Sequence, residues 1–253
     1  MISFELTKKT ILVTGASSGI GRSIAVNAAA SGAFVVLTGR NEERLQETAK
    51  EIIDQNGQCA FEPYDLTADL DDIPKWIRRL AKQYGPFSGL VHCAGITDLS
   101  SLRGLRSSTL LNVLTTNSVT AIMLAKGISL AGSYNTQGTS IVFLSSVASE
   151  IRGKNRTAYA MSKAALDAAA RILGIELAND HIRVNTIRPS KVLTPMVERV
   201  LEATDQESVE KQAIHLPLGF GQPEDVASLA VYLLSDASRF ITATSINIDG
   251  GYY

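Results

Sequence analysis

Cysteine is scarce: the chain has two, Cys59 and Cys93, with no CxxC pair and no Cys/His grouping at metal-ligand spacing. That argues against a disulfide framework and a structural zinc, and it suits a reducing compartment. No metal site is expected. Basic residues are not clustered, and the net charge is only -1, so nothing electrostatic draws the chain to nucleic acid or to an anionic membrane. The opening MISFELTKKT carries charges where a signal sequence needs its apolar run, and no stretch reads as long enough to span a membrane. The expected setting is cytoplasmic. Internal repeats, low-complexity tracts and flexible linkers are missing too, so the 253 residues are expected to form one domain, 1–253, with a full core.

What is present is an alternation of short apolar runs and helical stretches. Thr10 to Val13 leads directly into Thr14-Gly15-Ala16-Ser17-Ser18-Gly19-Ile20-Gly21, after which an Ala-rich helix runs to Gly32. The glycines therefore lie where a strand turns into a helix. There Gly15 permits a tight turn, Gly19 lets the backbone approach a pyrophosphate and Gly21 allows close helix packing, while the helix N-terminus supplies N–H donors. The spacing is GxxxGxG rather than GxGxxG. Ala33 to Leu37 reads as a second buried strand, ending in Thr38-Gly39-Arg40. An acid at that strand end would bind a ribose 2′-OH; Arg40 instead offers a planar fork of donors to a 2′-phosphate, so the cofactor expected is NADP(H). The competing reading leaves Arg40 as a solvated loop residue.

An amphipathic helix follows, with Leu45, Ala49, Ile52 and Ile53 on one stripe. Cys59 to Glu62 forms a third strand leading to Asp65 and Leu66, with Asp65 placed either to accept from an adenine amino group or to cap the next turn. Gly89 to His92 begins a fourth strand that runs into Cys93-Ala94-Gly95. One long helix from Ser107 to Ala131 carries Asn117, and Ser140 to Leu144 is a fifth strand that delivers Ser145-Ser146. Ile182 to Arg188 and Ser245 to Ile248 complete the set. Such alternation implies an α/β fold of Rossmann type: a doubly wound parallel sheet of about seven strands, helices on both faces, and ligands at the carboxyl ends of the strands. A polar, helix-rich insertion at about 194–218 interrupts the pattern.

Between the fifth and sixth strands lies a helix from about Thr157 to Ala178 that carries Tyr159 and Lys163. Four residues is just over one turn, so the two share a face about 6 Å apart along the axis. A cation beside a phenol favours the phenolate and lowers its pKa. Alone, the pair reads as two neighbours on a helix surface. The helix's many alanines let it pack closely on more than one side and suggest a subunit interface.

In combination these pieces resemble the short-chain dehydrogenase/reductase family over essentially the whole length. The matches are TGASSGIG at Thr14, Asp65-Leu66, Cys93-Ala94-Gly95, Asn117, Ser146, Tyr159-x-x-x-Lys163, RVN at Arg183, Pro189 with Thr194, and the DGG tail at Asp249. The resemblance implies Tyr159 as the general acid in carbonyl reduction and Lys163 as the residue that lowers its pKa and bonds the nicotinamide ribose. It implies Ser146 as the group that holds the substrate oxygen, and Asn117 as a helix distortion connecting Lys163 to solvent through water. Val192 and Thr194 would lie against the nicotinamide carboxamide and phosphate, and Ser17, Ser18, Ile20, Ala94, Gly95 and Pro189 would complete the cofactor contacts. His92 and Met161 are assigned no role. The chain departs from the family pattern at Ser190, where glycine is usual, at Arg188 before the proline, and at Cys93, where asparagine usually ties strands together.

The expected activity is NADP(H)-dependent interconversion of a ketone and a secondary alcohol, 3-oxoacyl-thioester-reductase-like, by a homo-oligomer, dimer or tetramer. An acidic carrier protein would want a basic docking surface, yet the candidate segments read GSYNTQGT and ELANDH. A sugar, polyol or other small hydroxy compound is therefore the alternative substrate. A non-catalytic NADP-binding regulator or scaffold is the alternative of another class.

Overall fold

The computed structural model describes residues 4–151, 153–195, 197 and 215–252. Most of the insertion expected at about 194–218 lies outside them. Seven strands are described: β1 (Thr10–Thr14), β2 (Phe34–Gly39), β3 (Gln58–Pro63), β4 (Gly89–His92), β5 (Thr139–Leu144), β6 (Ile182–Pro189) and β7 (Ser245–Ile248). They pair in the order β3-β2-β1-β4-β5-β6-β7, every neighbouring pair parallel. The chain builds outward from β1 to β3, then returns to the other side of β1 with β4. This reversal leaves a crevice beyond the carboxyl ends of β1 and β4, where a doubly wound sheet takes its ligand.

Strand pleating decides which side chain serves which layer. Ile11, Val13, Val35, Leu37 and Val91 point into one core with helices α1 (Gly19–Ala30) and α2 (Glu42–Asp54) and with the helix Pro223–Leu234. Leu12, Val36 and Leu90 point the opposite way, onto α3 (Ile73–Tyr84), α5 (Thr120–Ser129) and α6 (Thr157–Glu176). The remaining α-helices among the described residues are α4 (Ser107–Leu114), which leads toward α5, and the helix Pro223–Leu234, hereafter α7. On α7, Pro223 occupies the first turn and the Gln222 N–H donates to Asp225 Oδ2 at 2.7 Å, closing the N-terminus.

Three expectations need correction. Ile53 does not join the α2 stripe: it is 60% exposed, and Thr48 is buried instead, its hydroxyl donating to the Ala16 carbonyl at 3.0 Å. The long helix carrying Asn117 is not regular, because a π-helical turn at Thr115–Val119 separates α4 from α5. The run Ser107–Ser129 is 23 residues long and contains an 18-residue window of mean hydropathy 1.2, so by length and composition it could span a membrane, contrary to the reading that no stretch does. Here Ala121, Leu124 and Ile128 of that run pack into the core.

Arg188, the unexpected charge before Pro189, is a structural cation. It is 8% exposed, its Nε donates to Asp167 Oδ2 on α6 at 2.9 Å, and its Nη1 lies 2.6 Å from Glu150 Oε1. Asp167, 2% exposed, also accepts from the Thr186 hydroxyl at 2.7 Å. One buried carboxylate thus clamps α6 to β6. Removing Asp167 takes away the buried partner of Arg188 and leaves it only the exposed Glu150. Asp167→Ala is expected to cost about 3–5 kcal/mol of stability, read from urea unfolding; a loss below about 1 kcal/mol, the range of a surface pair, would contradict this account.

Candidate active site

β1 ends at Thr14, and the chain enters α1 through Gly15 and Gly19, both left-handed at φ 66° and 54°. A Cβ on Gly15 would lie 2.8 Å from the Ala94 backbone nitrogen, and one on Gly21 would lie 2.3 Å from the Gly15 carbonyl oxygen. Gly15 thus serves both the turn and the close approach of β4's end, and Gly21 lets α1 press against the turn. Ser18 caps α1 without a side-chain bond, and the first turn holds no acid. The free N–H groups there and the positive end of the helix dipole remain for an anion. A cradle of this form fits a dinucleotide pyrophosphate.

Thr14 ties the end of β1 to the end of β4. Its hydroxyl accepts from the Ala94 N–H at 3.2 Å and shares a hydrogen bond with His92 Nδ1 at 3.0 Å. Burial holds His92 down to about 3, so it stays neutral and structural, and burial pushes the Cys93 thiol up to about 12. Neither is poised for chemistry.

The crevice itself measures about 430 Å³ and runs from the glycine turn to the ends of β5 and β6. All the residues expected at the cofactor, and Ser146 as well, line it; Asn117 does not. Arg40 stands exposed at one end beside Asp65. Asp65 Oδ1 accepts from the Thr67 N–H at 2.9 Å and its hydroxyl at 2.7 Å. These bonds hold the carboxyl below its usual range, with Arg40 adding a smaller pull. Asp65 therefore caps its turn and lines the crevice at once. Ile96 and Thr67 also line it without having been expected there, and so does Ser190, the departure beside Pro189. Of these only Ser190 carried a sequence signal. It lies outside the left-handed region, so its backbone does not need glycine, and its hydroxyl donates to the Asp249 carbonyl at 2.9 Å.

At the other end, two adjacent serines divide the work. Ser145 Oγ donates to the Lys163 carbonyl at 3.0 Å and is committed to holding α6. Ser146 Oγ accepts from the Ala148 N–H at 3.2 Å, donates to the Pro189 carbonyl at 3.5 Å, and lies close enough to act on the Tyr159 phenol. Lys163 Nζ donates to the Leu144 carbonyl at 2.6 Å and lies 5.6 Å from the centre of the Tyr159 ring. Asn117 sits behind them: its Oδ1 accepts from the Ile96 N–H at 2.8 Å, and its Nδ2 donates to the Ile96 carbonyl and to Ser162 Oγ, each at 2.9 Å. The helix is distorted at Asn117. The Thr120 N–H reaches back five residues to Thr115, and the bypassed Thr116 carbonyl accepts the Thr120 hydroxyl at 2.7 Å instead.

The electrostatics differ from the simple cation-beside-phenol picture. Tyr159 is part-buried, and desolvation holds its phenol above the ordinary tyrosine value. The groups pulling it back are the Ser146 hydroxyl and the Arg156 charge rather than Lys163. Burial also depresses Lys163 to about 8. A phenol raised in this way is protonated at neutral pH and ready to donate.

The cradle, the crevice and the serine-tyrosine-lysine group define a dinucleotide-binding oxidoreductase. Sequence comparison agrees: a family model described as Enoyl-(Acyl carrier protein) reductase matches residues 15–253. A 3-oxoacyl-[acyl-carrier-protein] reductase of Thermotoga maritima is 32% identical over 98% of both chains. The L-xylulose reductase of Caenorhabditis elegans is 30% identical, covering 99% of this chain and 98% of its own. A crystal structure of a putative NAD(P)-dependent gluconate 5-dehydrogenase from Beutenbergia cavernae, with bound NADP, superposes with a TM-score of 0.92 at 33% identity, covering 99% of this chain and 98% of that one. The chain belongs to the short-chain dehydrogenase/reductase family, oxidoreductases that act on CH–OH and C=O groups. Within that family it is similar to the 3-oxoacyl-carrier reductases and to sugar dehydrogenases alike.

Lys163 supplies a direct check of the site's electrostatics. Its pKa falls on folding from 10.5 to about 8. Between those values the unfolded chain binds the proton that the folded chain has released, so the penalty is complete below about pH 8 and fades toward pH 10.5. In urea melts, Lys163→Met is expected to gain stability relative to wild type at pH 7 and to lose that advantage progressively above pH 8; a pH-independent difference would contradict it.

Proposed function

We propose that this protein is an NADP(H)-dependent reductase that interconverts a ketone and a secondary alcohol. The observation that carries the reading is the grouping of Ser146, Tyr159 and Lys163 at one end of a crevice whose other end is the glycine turn. Gly15, Gly19 and Gly21 with the N-terminus of α1 would hold the pyrophosphate, Asp65 and Leu66 the adenine side, and Ala94, Gly95, Pro189, Val192 and Thr194 the nicotinamide side. Bound NADPH would supply the hydride. Ser146 would hold the carbonyl oxygen and Tyr159 would give it a proton, a role that suits a phenol held protonated by burial. Lys163, within reach of the Tyr159 ring, would steady the phenolate left behind. Asn117 would act from behind, fixing Ser162 and the irregular helix turn beside Lys163.

The preference for NADP(H) rests on Arg40 at the end of β2, where an acid would select NAD, and is consistent with the NADP in the Beutenbergia structure. The first substrate class is a 3-oxoacyl thioester, in line with the Thermotoga relative; a keto sugar or sugar acid is the second, in line with the xylulose and gluconate enzymes. A non-catalytic scaffold has no chemical need for all of Ser146, Tyr159, Lys163 and Asn117. Exposed apolar residues on α4 and α6, among them Leu111 (62%), Ile172 (60%) and Ile175 (70%), suit a homo-oligomer in which a second copy covers them. A cytoplasmic setting remains part of the proposal.

With NADPH and a panel of 3-oxoacyl thioesters and keto sugars, cofactor absorbance is expected to fall. Tyr159→Phe should abolish that loss while NADPH binding changes little; tight binding with no ketone consumed by the wild type would refute the enzyme reading. Arg40→Ala is expected to weaken NADPH by about tenfold or more, the worth of a charge-assisted contact, and NADH far less. Equal losses for the two cofactors would remove the phosphate assignment.

A further inference from the structure

The backbone ladder between β5 and β6 ends just before Ser146. Its last bond runs from the Ser145 N–H to the Ile187 carbonyl at 2.8 Å. The next bond in that register would come from residue 189, and Pro189 has no N–H to give. Ser146 instead opens a 3-10 turn, Val147–Ser149, that is bonded within itself. The Ala148 N–H donates to Ser146 Oγ, the Ser149 hydroxyl and N–H donate to the Ser146 carbonyl at 2.8 and 3.0 Å, and the Ile151 N–H donates to the Val147 carbonyl at 2.8 Å. A unit this closely bonded moves as one piece. Val147 and Ala148 bury its apolar side, but apolar burial has no direction and does not fix the turn along the sheet. Among the described residues two side-chain ties join the turn to β6. One is Ser146 Oγ on the Pro189 carbonyl, long at 3.5 Å; the other is the Glu150 carboxylate on Arg188 Nη1 at 2.6 Å.

Arg188 is a firm post for that tie. Its Nε is committed to Asp167 Oδ2, and Asp167 is itself buried and held by the Thr186 hydroxyl. The guanidinium is therefore fixed from behind, and its rigid fork leaves Nη1 aimed at Glu150. A lysine, with one charged nitrogen on a flexible stem, would not serve both carboxylates in this way. The Glu150 side chain is 58% exposed, and a pair with so exposed a member contributes little to stability. Its effect lies in placement. We propose that Glu150 is a positioning residue for the reaction: held by Arg188, it fixes the turn that begins at Ser146 and so sets the Ser146 hydroxyl against the Tyr159 phenol. It rests on the reductase reading for the work that Ser146 does there. The signature of such a tether is a loss of rate without a loss of fold, at a carboxylate that lines neither the cofactor crevice nor its glycine turn.

The test uses Glu150→Ala and Glu150→Gln in the full chain. With NADPH and a ketone that the wild type reduces, Glu150→Ala is expected to lower kcat by about tenfold or more, the scale of a small misplacement at a reacting group. KM for NADPH, KM for the ketone and the urea midpoint should change little. Glu150→Gln keeps the reach and an acceptor oxygen for Arg188, so it should recover part of the rate. A wild-type kcat in Glu150→Ala would overturn the proposal; so would a raised ketone KM at unchanged kcat, which would make Glu150 a substrate contact instead. Hydrogen exchange read by mass spectrometry on the same variants needs no turnover. In Glu150→Ala the amides of residues 148–151 should lose protection while those of β5 and α6 keep theirs, and unchanged protection of the turn would overturn the tether. A turn that loosens in Glu150→Ala while the wild type reduces no ketone leaves the tether standing and refutes the reductase reading. Turnover by the wild type with no effect of Glu150→Ala on rate or exchange does the reverse.

Discussion

The position of α6 is the constraint on which the site depends. A proton donor must be placed to within a fraction of an ångström of its acceptor, and Tyr159 sits on a helix that could slide along the sheet. Polar anchors along its length prevent that. Ser145 donates to the Lys163 carbonyl, Lys163 to the Leu144 carbonyl, Ser118 to the Ser162 carbonyl at 2.8 Å, and Arg188 to Asp167. Tyr159, Lys163 and Asp167 recur at four-residue intervals on one face. The same stripe therefore carries the candidate chemistry at its N-terminal end and the clamp at its C-terminal end.

The irregular turn at Thr115–Val119 belongs to this arrangement. A regular helix would set Asn117 elsewhere on its circumference, away from Ile96 and Ser162. One extra residue in the turn lets Asn117 bridge the end of β4 to α6, through Ile96 and Ser162. Gly95 is needed for the same reason: a Cβ there would lie 3.2 Å from Asn117 Oδ1 and 3.6 Å from Lys163 Nζ. The strand end, the π turn and the helix thus close on one small volume.

Much of this was legible in the sequence because it rests on local rules. Apolar runs separated by helical stretches give the parallel sheet, and Gly15, Gly19 and Gly21 mark the turn. The register of Ser146 with Tyr159 separates it from Ser145, whose hydroxyl is occupied by α6. What escaped depends on long-range partners. Arg188 reads as a charge near the site, and only the fold reveals Asp167 and Glu150 around it. Ile53 has the right spacing for the α2 stripe but falls at the solvent edge. The phenol's pKa was misjudged because helix spacing shows the neighbouring ammonium and not the desolvation that outweighs it.

The central claim is that one crevice brings a hydride donor and the Tyr159 proton to the same carbonyl. The most direct measurement uses NADPH dideuterated at nicotinamide C4 with a ketone panel that includes keto acids, followed by mass and NMR analysis of the product. The account predicts one deuterium on the new carbinol carbon, an oxygen-bound proton that exchanges with water, and no product from Tyr159→Phe. Reduction without deuterium on carbon, or undiminished product from Tyr159→Phe, would contradict it.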